Sequence, residues 1–316
     1  MSKNFWKDKK VLVTGGLGFL GSHLANRLLD YKADVIVVDL PGVDKKNLEN
    51  GKDKLSIVDC DVSSRKIVEK RIDKNISIVF HLAANAIPSF CEKNPEITFK
   101  NNVIGTFNIL KFSLDNKIEK LIFSSTAQLY GRYPKYLPID EKHPIEYFDN
   151  VYSFTKKLDE DLCEIFYRKY GLPLIYLRLF NAFGPRQTTD FLIPSLISQG
   201  LEKNTIELWS DKPTRDFTFV HDTITALMGA AESSFCGGPI NVGSGREIKV
   251  ADVAQQIAKQ INAKLNFLNK EVVGSMRLRC DNTLAKNILN WEPKIDFPVG
   301  LNKTVEWFKK NKKKRK

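Results

Sequence analysis

The chain has 316 residues, 42% of them hydrophobic, and a formal net charge of +12. That is ample for a sizeable core and suits one large or two moderate domains. No run of about 18 apolar residues occurs, which argues against a membrane-spanning helix, and residues 1–7 lack the apolar stretch of a secretory signal. The five cysteines are scattered, odd in number and never spaced C-x-x-C, so neither a disulfide framework nor a metal site is expected, and a reducing cytoplasm fits. Residues 309–316 carry seven positive charges, leaving +5 for the body. A like-charge block at a terminus reads as a disordered, solvated tail. Without interleaved aromatics or a recognition motif it gives no reason to expect a nucleic-acid partner. The remaining excess is compatible with a small anionic substrate.

Val11-Leu12-Val13 reads as a buried strand. Thr14-Gly15-Gly16-Leu17-Gly18-Phe19-Leu20-Gly21 follows it, and Phe19, Leu20, Leu24, Ala25, Leu28 and Leu29 fall on one face of a helix. Strand, glycine turn and helix are the context of a dinucleotide-binding loop. Glycines let the backbone turn tightly against a pyrophosphate, and the helix N-terminus offers it free N–H groups. Gly15, Gly18, Phe19, Leu20 and Gly21 are therefore cofactor candidates. The next strand, 35–38, ends in Asp39. An acid there accepts hydrogen bonds from the adenosine ribose hydroxyls and repels a 2′-phosphate, favouring NAD over NADP.

Further strands are expected at 55–58, 76–80, 121–123 and 174–178, with helices near 64–74, 95–116 and 152–170. The alternation predicts an α/β fold, a doubly wound parallel sheet of the Rossmann kind, with ligands outside the carboxyl ends of its strands. Beyond Asn181-Ala182-Phe183-Gly184-Pro185 the pattern loosens into helical stretches near 191–201 and 250–262 among short strands and turns, then a helix-like stretch to Phe308. The expected organisation is an NAD-binding domain over 1–180, with segments near 215–240 returning to it. A smaller C-terminal α/β substrate domain over 181–308 and the basic tail 309–316 complete it.

Tyr152 and Lys156 stand four apart at the start of an expected helix, hence on one face. A phenol has an ordinary pKa of about 10, too high for a base at neutral pH. A neighbouring ammonium favours the phenolate, as does an oxidised nicotinamide ring. The pair therefore suits hydride chemistry at a hydroxyl-bearing carbon. Ser124-Ser125-Thr126 ends an upstream strand, where a hydroxyl can bond the reacting oxygen.

These pieces resemble the extended short-chain dehydrogenase/reductase family, especially its NAD-dependent nucleotide-sugar epimerases and dehydratases. The matches run in order along nearly the whole chain: the loop 14–21, Asp39, Asp61-Val62, His81-Leu82-Ala83-Ala84, Asn101-Asn102-Val103, Ser124-Ser125-Thr126 with Tyr130-Gly131, and Tyr152-Ser153-Phe154-Thr155-Lys156. Arg178-Leu179-Phe180-Asn181-Ala182-Phe183-Gly184-Pro185, Arg215-Asp216-Phe217-Thr218-Phe219-Val220, Asn241-Val242-Gly243 and Trp291-Glu292-Pro293 continue them. The resemblance implies Asp61 and Val62 at the adenine, Leu82, Ala83 and Ala84 as a wall beside the cofactor, Asn102 among the cofactor residues and Ser124 near the nicotinamide. It implies Thr126, Tyr152 and Lys156 as the catalytic set, Lys156 also holding the nicotinamide ribose. Asn181, Arg215 and Arg277 are implied at a substrate diphosphate, with a surface salt bridge the alternative for Arg277. His81 reads as a support of its strand end. The resemblance also implies a homodimer built from the helices near 95–116 and 152–170.

Such enzymes resemble one another in removing a hydride from C4 of a nucleoside-diphosphate sugar. The resulting 4-keto sugar is then turned and reduced again by an epimerase, or loses water in a 4,6-dehydratase, which needs further acid/base groups. The dehydratases carry a carboxylate just after the catalytic threonine; here Ala127 and Gln128 stand there, and an amide cannot exchange a proton as a carboxylate does. The expectation is a 4-epimerase, the alternatives being a dehydratase, a 4-ketosugar reductase or a non-catalytic dinucleotide-binding regulator.

Overall fold

A computed structural model of the protein describes residues 2–48, 55–146, 150–271 and 274–313. After a short helix, α1 (Lys3–Trp6), the chain alternates as expected: β1 (Lys10–Thr14), α2 (Phe19–Asp30), β2 (Asp34–Asp39), β3 (Ser56–Asp59), α3 (Arg65–Arg71) and β4 (Ile78–His81). Then come α4 (Pro88–Lys93), α5 (Pro95–Phe99), a π turn over Lys100–Ile104, α6 (Gly105–Asp115), β5 (Lys120–Thr126), α7 (Val151–Tyr170) and β6 (Leu174–Leu179). The rest comprises β7 (Asn181–Phe183), α8 (Leu192–Lys203), β8 (Thr205–Leu208), β9 (Thr214–Arg215), β10 (Phe217–Phe219), α9 (Val220–Glu232) and β11 (Pro239–Val242). β12 (Ile248–Lys249), α10 (Val250–Ile261), β13 (Lys264–Phe267), α11 (Thr283–Leu289) and α12 (Phe297–Lys313) end it.

Seven strands form one sheet in the order β11-β6-β5-β4-β1-β2-β3, every pair parallel. Strand residues alternate between its faces, as period two requires. Val11, Val13, Val35, Val37, Phe80 and Leu177 share one core with α2 and α9. Leu12, Ile36, Val38, Val79, Phe123 and Tyr176 share the other with α3, α6 and α7. Both faces are covered, so the strands read as continuous apolar runs. Strand order reverses between β1 and β4, which opens a crevice at their carboxyl ends. The segment 220–242 rejoins the sheet, since α9 packs on it and β11 forms its edge.

Several stretches differ from the sequence expectation. The helix expected over 95–116 is broken by the π turn, where the buried Asn102 amide turns inward to the chain at Asn85 and to Thr155. α9 was not expected, because its residues are almost all buried and so show no polar face to give a period. The tail is not disordered over its first part: α12 runs to Lys313, and Lys309 Nζ donates to the Gln260 carbonyl and Glu306, both at 3.1 Å. Leu301 and Val305 bury one side of that helix in the core, with Phe308 packed against it, just ahead of the basic block. Residues 314–316 lie outside the described residues.

Candidate active site

The crevice is a cavity of about 610 Å³ at the carboxyl ends of the strands. At one end lies the glycine loop. Gly15 has φ +67°, and a Cβ on it would stand 2.8 Å from the Ala83 nitrogen; one on Gly21 would stand 2.2 Å from the Gly15 carbonyl oxygen. Only glycine lets β1, β4 and α2 approach so closely. Asp39 accepts from the amides of Leu17 and Leu40, each at 2.9 Å, and burial raises its pKa. Asp61 accepts from the amide and hydroxyl of Ser63 at 2.9 and 2.6 Å. Gly15, Gly18, Phe19, Leu20, Gly21, Asp39, Asp61, Val62, Leu82, Ala83, Ala84 and Ser124 all line the cavity. A narrow glycine cradle, a helix N-terminus with no acid in its first turn and two carboxylates, one ending β2 and one just past β3, fit an adenine dinucleotide.

Asn102 is a different case. It is fully buried behind the wall, accepting from the Asn85 amide at 2.7 Å and donating to Thr155 at 2.9 Å, so it shapes the loop after β4 without lining the cavity. His81 clamps the same strand end. Thr14 Oγ1 accepts from the amides of Leu82 and Ala83, both at 3.2 Å. Its own proton is then directed to His81 Nδ1 at 2.7 Å, which leaves the imidazole proton on Nε2, facing Thr106 Oγ1 at 3.1 Å. Burial, aided by the charge of Lys156, lowers the His81 pKa to about 3, so the ring is neutral.

The chemical groups meet at the centre. Thr126 ends β5 and caps the following turn by accepting from the Gln128 amide at 3.2 Å. Tyr152 is the second residue of α7, a helix started by Asn150, whose side chain accepts from the Ser153 amide at 2.8 Å. Burial raises the Tyr152 pKa, and a hydrogen bond with Thr126 works against that rise. Lys156, one turn on, donates to the Ser124 carbonyl at 3.0 Å. Behind them Glu160 accepts from Ser125 Oγ at 2.5 Å and pairs in fork geometry with Arg178 at 2.9 and 2.6 Å. Arg178 also donates to Tyr130, which donates to Asn241 at 2.6 Å. This buried network locks α7 to β5, β6 and β11, and so fixes where Tyr152 stands.

Thr126, Tyr152, Lys156 and Asn181 line the cavity; Arg215 and Arg277 do not. Arg215 is turned back on the Thr214 carbonyl at 2.8 Å, and burial lowers its pKa to about 10. Arg277 is 61% exposed and held by both oxygens of Glu247 at 2.7 Å. It borders a second hollow with Lys212, Arg279 and Tyr136. The expected cluster of Asn181, Arg215 and Arg277 is therefore not assembled here. Glu247, thirty residues away in sequence, already satisfies the Arg277 fork. Sequence reasoning gave no role in the site to Asn85, Phe90, Phe180 or Phe191, all of which line the cavity. Apolar and amide residues in loops carry no spacing signal.

Residues 11–243 match the family model described as the NAD dependent epimerase/dehydratase family. The chain belongs to that family, and its cofactor is NAD. It is similar to a Methanocaldococcus jannaschii protein provisionally named a UDP-glucose 4-epimerase, 32% identical over 95% of this chain and 99% of the relative. It is also similar to UDP-glucuronic acid decarboxylase 5 of Arabidopsis thaliana, 31% identical over 98% of this chain and 92% of that one. Among solved structures it resembles the UDP-N-acetylglucosamine 4-epimerase of Methanobrevibacter ruminantium, in complex with UDP-N-acetylmuramic acid. The TM-score is 0.88 at 30% identity, covering 96% of this chain and 99% of that chain. The protein is thus one of the nucleotide-sugar epimerases, dehydratases and decarboxylases.

Proposed function

We propose that the protein is a nucleoside-diphosphate-sugar 4-epimerase working through a transient 4-keto sugar. The observation that carries this reading is the distribution of acids: among the described residues lining the cavity, the only carboxylates are Asp39 and Asp61, both at the cofactor end. Around Tyr152 stand Thr126, Ala127 and Gln128. Tyr152 takes the C4 hydroxyl proton and later returns it. Thr126 bonds the same oxygen, and Lys156 supplies the positive charge that favours the phenolate. Bound NAD supplies the acceptor, and then the donor, of the C4 hydride. Among the described residues lining the cavity no carboxylate stands at the Tyr152 end to open C5, so the ketone is left to turn. Apolar walls such as Phe90, Phe180 and Phe191 grip a sugar through few directed bonds, which suits that rotation. The anionic diphosphate lies, in this reading, beyond Asn181, with Arg215 and Arg277 released toward it on binding.

The test is turnover in D₂O with a panel of nucleotide sugars followed by mass spectrometry. An epimerase returns the same hydride, so the product keeps the substrate's mass and takes up no carbon-bound deuterium. Loss of water with deuterium at C5 or C6 makes the protein a dehydratase, and loss of carbon dioxide makes it a decarboxylase. We also propose that it is a homodimer. Ile97 and Phe107 on α5 and α6, and Phe154 and Ile165 on α7, are exposed apolar residues at helical spacing, and such a stripe suits a helix–helix interface.

A further inference from the structure

Lys156 is 2% exposed and Asp159, three residues on along α7, is wholly buried, its Oδ2 3.8 Å from Nζ. The ammonium has one carbonyl acceptor, Ser124, and faces the Phe123 ring at 4.4 Å. Neither oxygen of Asp159 has a hydrogen bond of normal geometry, although the Thr106 hydroxyl lies beside it and favours its charge. Buried carboxylates ordinarily gather donors. Asp216 gathers four: Ser244 N and Oγ, Gly245 N and Cys280 N. Asp159 has Lys156 instead.

A lysine buried without a countercharge discharges. Among the described residues the other groups around this one offer no free anion. On α7, Glu160 is held by Arg178 of β6, and Cys163 is a thiol whose pKa burial raises. Cys91 of α4 is likewise a thiol raised by burial, and His81 of β4 is neutral. Tyr152 bears a negative charge only during the reaction. Burial pushes Lys156 down and Asp159 up, and their mutual attraction opposes both shifts.

We propose that Asp159 is a positioning residue, whose carboxylate holds Lys156 charged and in place beneath Tyr152. The inference rests on the reading of Tyr152 and Lys156 given above. Asp159 does not touch the substrate and acts through Lys156 alone. Its own field on Tyr152 opposes deprotonation, so its benefit comes through the charge it preserves on the lysine.

The test compares the full-length, NAD-loaded protein with Asp159→Asn and Asp159→Glu. Lysine labelled with ¹³C at Cε reports the charge of Lys156, its signal identified by loss in Lys156→Arg. In Asp159→Asn the Lys156 midpoint falls by at least about one pH unit, a tenfold weaker proton affinity. The alkaline limb of kcat moves down with it, and KM changes less than about threefold. Asp159→Glu restores both positions. A midpoint and limb that stay put while the whole profile merely shrinks overturn the proposal, as does failure of Glu to rescue. Asp159→Ser, equally uncharged and smaller, carries the same test should the Asn variant not fold. Because the NMR midpoint needs no turnover, it separates this inference from the catalytic reading. If Tyr152→Phe keeps its turnover, the catalytic reading fails whatever Lys156 does.

Discussion

At the scale of single residues, spacing along the chain was a good guide wherever a strand or helix end delivers a side chain directly. Asp39 ends β2, Thr126 ends β5 and Tyr152 stands in the first turn of α7, and all three line the cavity. Under the proposed reading Tyr152→Phe removes the only hydroxyl base, so turnover falls 10²- to 10⁴-fold while NAD still binds; a variant keeping more than about a tenth of the rate refutes the assignment. Asp39 makes NAD bind at least about tenfold more tightly than NADP, about 1.4 kcal/mol, and calorimetry showing parity removes that role. His81 carries a pH signature. Its folded pKa of about 3 lies below the ordinary 6.5, so the stability tied to its neutral form is present above 6.5 and is lost as pH falls through that interval. Asp216, raised to about 6 by burial, acts in the opposite sense, its contribution being lost as pH rises. The His81 share is therefore read as a difference. The deficit of His81→Gln relative to the natural chain shrinks by up to about 1.4 kcal/mol per pH unit below 6.5 in urea titrations; a constant deficit contradicts the buried neutral ring.

At the scale of elements, amphipathic helices were legible and buried ones were not. α2 and α10 each show one apolar face, and their positions follow from it. α9 shows none because it packs against the sheet, α2 and α11 at once. α4 was not expected; Pro88 begins it, as Pro95 begins α5, at a position where a missing N–H costs nothing. The start of α7 matters most for chemistry. Asn150 caps it and also donates to Gln128 at 3.4 Å. Asn150→Ala costs about 1 kcal/mol of stability and lowers kcat more than it raises KM, since it frees the turn that carries Tyr152; equal effects on both would place the residue in binding instead. Deleting residues 309–316 shortens α12 and removes the Lys309 contact to Gln260. It leaves turnover unchanged at physiological salt and lowers the melting temperature slightly; loss of activity would give the basic end of α12 a part in the reaction.

At the scale of the molecule, the sheet order is the organising fact. Placing β1 between β2 and β4 brings the glycine loop to Ala83 and sets the cofactor end of the cavity, while β5, α7 and the Glu160–Arg178 pair set the reacting end. The exposed stripe on α5 to α7 leads to an expected assembly. Phe107→Glu combined with Ile165→Glu converts a dimer to a monomer in light scattering, with far-ultraviolet circular dichroism unchanged. A natural chain already monomeric at micromolar concentration removes the dimer from the reading.

The sequence by itself determined the alternation of strands and helices, the dinucleotide loop, the acid at the end of β2 and the tyrosine–lysine pair. Each is written in residues close together in the chain, where period and turn chemistry act directly. The tertiary structure decided what no local pattern carries. It joined Arg277 to Glu247 and left the cavity lined with Asn181 alone of the three expected diphosphate residues. It carried helix into the basic block as far as Lys313, behind a side buried by Leu301 and Val305, although the charges there repel. It also placed Asp159 against Lys156 inside the protein. Three residues apart on a solvated helix these two would be an ordinary surface pair, and only the packing of α7 against β5, α4 and α6 takes water from both and makes each depend on the other.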